Sequence, residues 1–430
     1  MKHTQLLPYY LLLTAFSSSA YAVNWINIMG TEKPGTEVTN KTFAWFQPEF
    51  QMTDGTKIPA GNWQGQNSFG NTIRPTNRDS SNINIFRARL GTRGRINQYW
   101  NYSGLVEFGN GVITRSEDKL AVALDASLTT NYLGPNLRFG QFKNPSSEEA
   151  QQAKYDYTNF ALPSAMLVLE SFFDGSGLPA STTDANYRNG TVDTFRDIGV
   201  QLFDSYQRQD WEHTWAMMIS NGNGLMRSDN NSDKDINLYW SSEKIFAGKG
   251  KQRQGLKLFA WYRNGKRTLT TSDAGDYYRM REGLGMTYKR DKWSSTLEYI
   301  NADGMISFGT DGGAIPGAVG NDGNIATFNI KPEAKANGWW GDIGYRVNQD
   351  FEVRARYDQT YRDTESPTEV RFDNLTLGLN WFYAPKCKMI FNYEVRSFEA
   401  PHQSSTHPIN IAAKGLDNRI SVQLFHFFKL

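Results

Sequence analysis

Side chains of alternating character run through most of the chain, and this two-residue period is the strongest constraint on its fold. In residues 374–383 the positions of one parity are apolar or aromatic, and those of the other parity are small or polar. The apolar set is Leu375, Leu377, Leu379, Trp381 and Tyr383. Successive side chains of a β-strand point to opposite faces, so such a segment has one oily face and one polar face. The pattern predicts an all-β fold.

The composition excludes several classes of protein. Aromatic residues make up 14% of the 430 residues, which a disordered chain would lack. No continuous apolar run reaches the roughly twenty residues of a membrane-spanning helix. The net charge is only +2, which gives no reason to expect a nucleic-acid partner. A single cysteine, Cys387, excludes a disulfide framework.

The N-terminus has the pattern of a secretory signal peptide. Lys2 and His3 precede an apolar stretch, residues 6–16, and small residues then lead to Ala-Tyr-Ala at 20–22. We expect residues 1–22 to be removed and the mature chain to begin near Val23. Export of a chain with almost no cysteine predicts a bacterial periplasmic or outer-membrane location.

The connections between the alternating segments differ in length, which favours a membrane barrel over a soluble sandwich. Residues 289–292 and 347–350 are predicted to be short turns, whereas residues 302–338 form a long glycine-rich loop. We therefore predict that residues 23–430 form one transmembrane antiparallel β-barrel of about sixteen strands, with short periplasmic turns and long external loops. A soluble β-sandwich, whose outer face meets water, is the alternative.

Aromatic residues gather near the predicted strand ends, as the interfacial girdles of a membrane barrel require. The members of this predicted girdle are Trp339, Trp340, Trp381, Tyr383, Phe425, Phe427 and Phe428.

Four arginines share one face of the predicted strand over residues 83–95. They are Arg87, Arg89, Arg93 and Arg95, and the opposite parity holds Phe86, Ala88 and Leu90. An arginine facing lipid at mid-depth would cost about 2–4 kcal/mol, so the arginines are predicted to face the lumen. For Arg93 and Arg95 a solvated strand face is an equal alternative.

Parity places further charged side chains in the lumen, with basic groups outnumbering acidic ones by roughly two to one. The other residues of the predicted anion path are Arg138, Lys143, Lys257, Arg263, Arg354 and Arg356. Series of Arg and Lys select anions because they replace hydration with charge-assisted hydrogen bonds.

Residues 144–196 are too long for an ordinary connection and contain an apolar middle between Pro163 and Gly175. We predict that this segment folds into the barrel and narrows it. The alternative is two further strands, because the positions from Ala165 to Ser171 also alternate.

Several stretches resemble the phosphate-selective porin O and P family from about residue 82 to the C-terminus. The most specific are Gly-Gln-Phe-Lys-Asn-Pro at 140–145 and Gly-Leu-Asn-Trp at 378–381. Phe-Arg-Ala-Arg-Leu-Gly at 86–91 and Asp-Ile-Gly-Val at 197–200 add to the match. One departure is Ile85-Phe86, where family members often carry a basic pair.

The resemblance implies a sixteen-stranded barrel, usually trimeric, that passes anions such as phosphate. The expected partners are the outer-membrane bilayer, small anions and further copies of this chain, with no nucleic acid, cofactor or metal. A general non-selective porin is one alternative. Another is a structural barrel that sheathes a partner protein, which would need a wide lumen without an inward loop.

An enzyme is not predicted. No G-x-S-x-G motif occurs, and the histidines of the mature chain are not paired with a serine in the pattern of a barrel lipase.

Overall fold

The structure, a computed structural model, describes residues 24–32, 35–53, 57–68, 82–109, 121–152, 159–161, 164, 195–226, 228–249, 253–269, 275–314, 317–326 and 328–429. The strands are β1 (Thr39–Thr53), β2 (Asn82–Arg95), β3 (Trp100–Glu107), β4 (Val122–Thr130), β5 (Asn136–Lys143), β6 (Arg196–Arg208), β7 (Trp211–Ser220), β8 (Asp235–Ala247), β9 (Gln254–Leu269), β10 (Gly275–Arg290), β11 (Trp293–Asp303), β12 (Ile306–Thr310), β13 (Phe328–Lys331), β14 (Lys335–Arg346), β15 (Phe351–Arg362), β16 (Val370–Ala384), β17 (Cys387–Glu399) and β18 (Arg419–Lys429). The described residues also form three short helices, α1 (Trp25–Ile28), α2 (Glu148–Gln151) and α3 (Pro408–Ala413). Within these ranges, no helix has both the length and the apolar character needed to cross a membrane.

Sixteen of the strands close into one antiparallel barrel, as the alternation predicts. With β12 and β13 left out, each barrel strand pairs with the strand before it and the strand after it in the chain. β1 closes the barrel by pairing with both β2 and β18. The other two strands, β12 and β13, form a separate hairpin between β11 and β14. Closure pairs the backbone groups of every barrel strand, so no unpaired sheet edge meets lipid.

Short and long connections lie at opposite ends of the barrel. The turns after β6, β10 and β16 have two residues each, and each contains one residue in the left-handed region, namely Gln209, Asp291 or Lys386. The connections at the other end include residues 54–81, 144–195 and 304–334. This asymmetry confirms the predicted short turns and long loops of an outer-membrane barrel.

The two faces of the strands differ as the sequence predicts. In β16 the outward side chains Leu375, Leu377 and Leu379 are 40%, 49% and 37% exposed, whereas Thr376 and Asn380 on the lumenal face are buried. The apolar exterior is the surface that meets hydrocarbon in a membrane barrel.

A β-bulge overturns the prediction that Phe86 faces outward. Gln47 of β1 pairs with Arg87, but the next residue, Pro48, pairs with Ile85, so Phe86 is the extra residue of β2. Proline has no N–H to contribute to the ladder, and bulges accommodate such positions. Phe86 is therefore buried, and Ile83, Ile85 and Leu90 form the exposed apolar face instead.

The predicted aromatic girdle is correct only in part. Trp339, Trp381 and Phe428 are exposed on the outer surface. Trp340 and Phe425 are instead buried, and the indole of Trp340 donates to Glu298 at 3.2 Å. These two aromatic side chains have the lumenal parity of their strands, and they fill the interior.

The predicted loop over residues 302–338 is shorter than expected and partly ordered as strands. It contains the β12–β13 hairpin, and β14 already begins at Lys335. The hairpin packs with α3 and with residues 57–68 around a buried apolar cluster that includes Ile58, Trp63 and Ala412. These described parts of the connections therefore pack together at their end of the barrel.

The cost of placing a charge on the outward face should depend on its depth in the membrane. Leu377→Arg puts a charge at the middle of β16 and should lower the free energy of unfolding by about 2–4 kcal/mol. The same charge in Gln359→Arg, near the external end of β15 and beside Asp373, should change it by only about 0–1 kcal/mol. Urea unfolding in lipid vesicles measures both. Equal costs for the two variants would contradict the membrane position assigned to these faces.

Candidate functional site

The first described residues lie inside the barrel. We call residues 24–32 the N-terminal lumenal segment. The Asn24 side chain donates to Ser241 Oγ of β8 at 2.9 Å, and the Trp25 indole donates to Glu148 Oε1 of α2 at 2.8 Å. Trp25 and Ile26 are 4% and 2% exposed. The segment therefore occupies lumenal space that the strands alone would leave to water.

Three of the predicted anion-path arginines hold this end of the chain. Arg138 donates to the carbonyls of Met29 and Ile26, and Arg93 donates to Thr31 O and Glu32 Oε1 at 2.5 and 2.6 Å. Arg95 donates to Glu37 O at 3.0 Å. Burial raises the pKa of Glu32, but hydrogen bonds from Lys41 and Arg93 outweigh it, so the pKa lies below its ordinary value.

The connection after β5 also enters the lumen. Lys143 ends β5 and donates to the carbonyls of Ala150 and Gln152 at 2.8 and 3.0 Å, which holds the C-terminal end of α2. On its other side α2 reaches the wall through an ion pair between Glu148 and Lys257 of β9. Two more predicted residues, Lys143 and Lys257, thus fix the inward segment.

Described residues of the connection after β5 contact the opposite wall of the barrel, at β15 and β18. Glu149 pairs with Arg356 of β15 at 3.7 Å, and the ring of Phe160 lies 4.6 Å from the same guanidinium. Ala161 O accepts from Gln423 of β18 at 2.7 Å. β5 and β15 are eight strands apart on the sixteen-strand ring, so the segment spans the lumen. Residues 165–171, for which alternation offered a strand alternative, lie outside the described residues.

A basic cavity lies between the N-terminal lumenal segment and the wall formed by β1–β6. The cavity is partly open to solvent. Five of its lining residues are basic, namely Arg89, Arg93, Arg138, Lys143 and Arg196. Among the described residues of the lining, Asp125 is the acidic one. Four predicted anion-path residues therefore meet at this cavity.

The remaining predicted residues lie elsewhere in the lumen and have close acidic or polar neighbours. Arg354 bonds Asp342 at 2.9 Å and Glu352 at 3.1 Å. Arg87 donates to Gln47 Oε1 at 2.9 Å, and Arg356 lies 3.4 Å from Asp358. Such pairs contribute less net positive potential than isolated cations, so the ten predicted residues are not equivalent.

Arg263, one of the predicted residues, belongs to a second group of arginines whose other members were not predicted. It lies opposite Arg281 across the β9–β10 ladder, and Arg267 and Arg279 are the other members. Arg267 is bound by both oxygens of Asp235 at 2.8 and 2.6 Å. The sequence pattern that could have revealed this group is Arg-Met-Arg at 279–281, which has the same spacing as Arg87 and Arg89.

A sequence profile of the family described as phosphate-selective porin O and P matches residues 60–403. The chain belongs to this family. The match begins earlier than the quoted motifs, in the connection after β1, and ends before β18. Family membership and the barrel identify an outer-membrane porin, and they indicate a channel rather than an enzyme.

Solved porins share the fold at low sequence identity. OmpF of Salmonella typhi, in a complex with Daunomycin, aligns with a TM-score of 0.54 at 11% identity, over 93% of this chain and 100% of that chain. An anion-selective porin from Comamonas acidovorans aligns at 0.52, 12% identity, and 91% and 100%. The outer membrane channel DcaP of Acinetobacter baumannii aligns at 0.52, 12% identity, and 92% and 99%. No protein of curated function matches the sequence significantly.

The structure explains one family motif in this porin. Gly140 has φ +116°, and a Cβ there would lie 2.1 Å from the carbonyl oxygen of Ala126. Glycine is the residue that tolerates this backbone and this contact. The distortion occurs three residues before Lys143, where the chain leaves the wall for the lumen.

The N-terminal lumenal segment should restrict the current through the porin. Removing its side-chain bonds to Ser241 and Glu148 in Asn24→Ala/Trp25→Ala should loosen it and give a larger, noisier single-channel conductance in planar bilayers. As a control, Asn24→Cys/Ser241→Cys in a Cys387→Ser background should keep the wild-type conductance when oxidised. An unchanged conductance in the Ala variant would show that the segment does not limit ion flow.

Proposed function

We propose that this porin gives passive, anion-preferring diffusion of small oxyanions such as phosphate across the outer membrane. The observation that supports it best is the basic cavity, where five cationic side chains and one carboxylate face the same space. An arginine or lysine can replace part of an anion's hydration shell with charge-assisted hydrogen bonds. The planar guanidinium also matches the geometry of an oxyanion.

The arginines around Arg263 also contribute to the positive potential of the lumen, but without contacting the ion. Arg279 and Arg281 are each 1% exposed, so a passing ion does not touch them in this structure. Their charges act through the field of the wall, which low-dielectric surroundings screen weakly. We infer that Arg93, whose side chain is 25% exposed, supplies the direct contact at the cavity and that the buried arginines attract anions from a distance.

Transport requires that no single site holds the ion strongly. A site of about micromolar affinity, near −8 kcal/mol, would release its ion too slowly for rapid flux. Arg89 and Arg196 are moderated by Glu107 and Asp125, which weakens each contact without removing it. A series of moderated cations therefore suits diffusion better than one bare cluster.

We propose that residues 144–196 and the N-terminal lumenal segment together form the constriction. The contacts of Glu149, Phe160 and Ala161 with the far wall support this role. They disfavour a sheath around a partner protein, since that function needs a wide lumen. The close carboxylates of Arg354 and Arg356 favour the other alternative, a general porin with weak selectivity.

Reversal potentials in planar bilayers under a KCl gradient distinguish these functions. Wild-type porin should prefer chloride, and Arg93→Gln should lower the chloride-to-potassium permeability ratio by about fivefold, corresponding to roughly 1 kcal/mol. Arg93→Lys should keep most of the preference. Arg371→Gln, the same charge change on the outward face of β16, should leave the ratio unaltered. Cation preference in the wild type would reject the proposal.

The signal peptide and the assembly are further proposals. Residues 1–22 lie outside the described residues, and their sequence supports removal on export. The family resemblance supports a homotrimer. Native mass spectrometry of the porin extracted in mild detergent should give the mass of three chains that each begin near Val23. A monomeric mass would contradict the trimer, and a chain beginning at Met1 would contradict cleavage.

A further inference from the structure

Two basic side chains lie directly opposite each other at the edge of the basic cavity. Lys41 of β1 and Arg93 of β2 are partners across the antiparallel ladder. Arg93 lines the cavity, and Lys41 has the same lumenal parity as Phe43, which also lines it. Like charges at directly opposite positions repel each other and destabilise a sheet. The pair therefore needs an anion to bind both of its members.

The N-terminal lumenal segment supplies that anion. Glu32 is the one charged residue of its sequence. One oxygen of the Glu32 carboxylate accepts from Arg93 Nε at 2.6 Å, and the other accepts from Lys41 Nζ. Burial raises the pKa of Glu32, but the hydrogen bonds from Lys41 and Arg93 lower it by more, so the carboxylate is ionised at neutral pH. One negative charge thus bridges two positive charges, and a net positive charge remains.

Water reaches the two cations, whereas the carboxylate between them is enclosed. The side chains of Lys41 and Arg93 are 53% and 25% exposed, and that of Glu32 is 4% exposed. Both cations can therefore be approached by a dissolved anion while Glu32 is still in place. Such an anion competes with the carboxylate for the same hydrogen-bond donors.

The backbone around Glu32 is held by contacts that do not involve its carboxylate. The Glu32 N–H donates to Asn101 Oδ1 of β3 at 3.2 Å, and Thr31 O accepts from Arg93 Nη2 at 2.5 Å. Arg138 holds the carbonyl of Met29 nearby. The Glu32 side chain can therefore rotate away from the two cations without release of the segment.

We propose that Lys41 and Arg93 form a binding site for divalent oxyanions and that Glu32 is the built-in competitor of this site. The proposal rests on the anion-preferring channel proposed above and names a class of solute for it. A divalent oxyanion such as sulfate or hydrogen phosphate brings two charges to the two cations, whereas the carboxylate brings one. It therefore displaces Glu32 more readily than a monovalent anion of similar size does.

The competitor keeps binding at this site weak. Because Glu32 belongs to the same chain, its carboxylate is present at the pair at an effective concentration on the order of millimolar. A solute anion must compete against that concentration, and Glu32 returns to the pair when the anion leaves. Rapid release is what transport through a channel requires.

Block of the chloride current through single channels tests the site. Sulfate and methanesulfonate are matched probes, because they are similar in size and differ by one unit of charge. In the wild type, sulfate should reach half-block at about a tenfold lower concentration than methanesulfonate. Glu32→Gln keeps the side-chain size and removes the charge, so it should lower the half-blocking concentration of sulfate by about tenfold, the scale of two partly exposed ion pairs. Glu37→Gln, the same charge change at an exposed position, should leave that concentration unaltered.

Lys41 distinguishes this site from a mere loosening of the segment. Lys41→Gln in the Glu32→Gln background should bring the sulfate and methanesulfonate values close together, because only one cation of the pair remains. If Glu32→Gln does not fold, Lys41→Gln alone should raise the half-blocking concentration of sulfate by about threefold. Lys244→Gln, at a half-exposed side chain on the outward face of β8, should keep the wild-type value.

Three results would overturn the site. They are equal block by sulfate and methanesulfonate in the wild type, an unaltered sulfate value in both Glu32→Gln and Lys41→Gln, and weaker sulfate block with a larger conductance in Glu32→Gln. The last result would mean that Glu32 only holds the segment in place. Each of them leaves the chloride preference measured by reversal potential intact, whereas loss of that preference rejects the channel function itself.

Discussion

Lipid offers no hydrogen bonds, and this one constraint organises the molecule. Every backbone N–H and C=O within the hydrocarbon must find a partner in the protein, which a closed antiparallel ladder provides. Closure makes one face of each strand external and the other lumenal. The sequence must therefore place apolar residues such as Leu377 on one parity and polar residues such as Asn380 on the other. The polar lumen, in which the channel chemistry occurs, is a direct consequence of this arrangement.

The features that could be predicted are those that depend on local alternation. The faces of β15–β17 follow from parity, whereas the strand number and the connection asymmetry follow from the lengths of the chain and of its predicted connections. The prediction for Phe86 was wrong because a bulge opposite Pro48 changes the parity within β2. Arg279 and Arg281 were missed because their neighbours Tyr278 and Glu282 are outward but polar, which hides the alternation at the external end of β10.

Other features depend on contacts between distant parts of the chain. The N-terminal lumenal segment shows no strand pattern, and contacts with distant residues such as Arg138, Ser241 and Glu148 place it in the lumen. The pairing of Arg89 with Glu107 likewise requires the β2–β3 register. The sequence therefore predicted basic residues in the lumen, but it could not show which ones have carboxylate partners. That distinction decides how much positive potential an ion meets.

The lumenal arginines both hold the inward segments in place and supply positive potential. Whether one arginine can do both depends on its hydrogen-bond partner. A carboxylate partner holds a guanidinium in place but cancels its charge, as Asp342 does for Arg354. A backbone carbonyl also holds a guanidinium in place, but it does not neutralise the positive charge. Arg138 binds the N-terminal lumenal segment through carbonyls, so a contact that narrows the lumen also keeps its positive potential. Replacing these carbonyl contacts with ion pairs would preserve the constriction and weaken the attraction for anions.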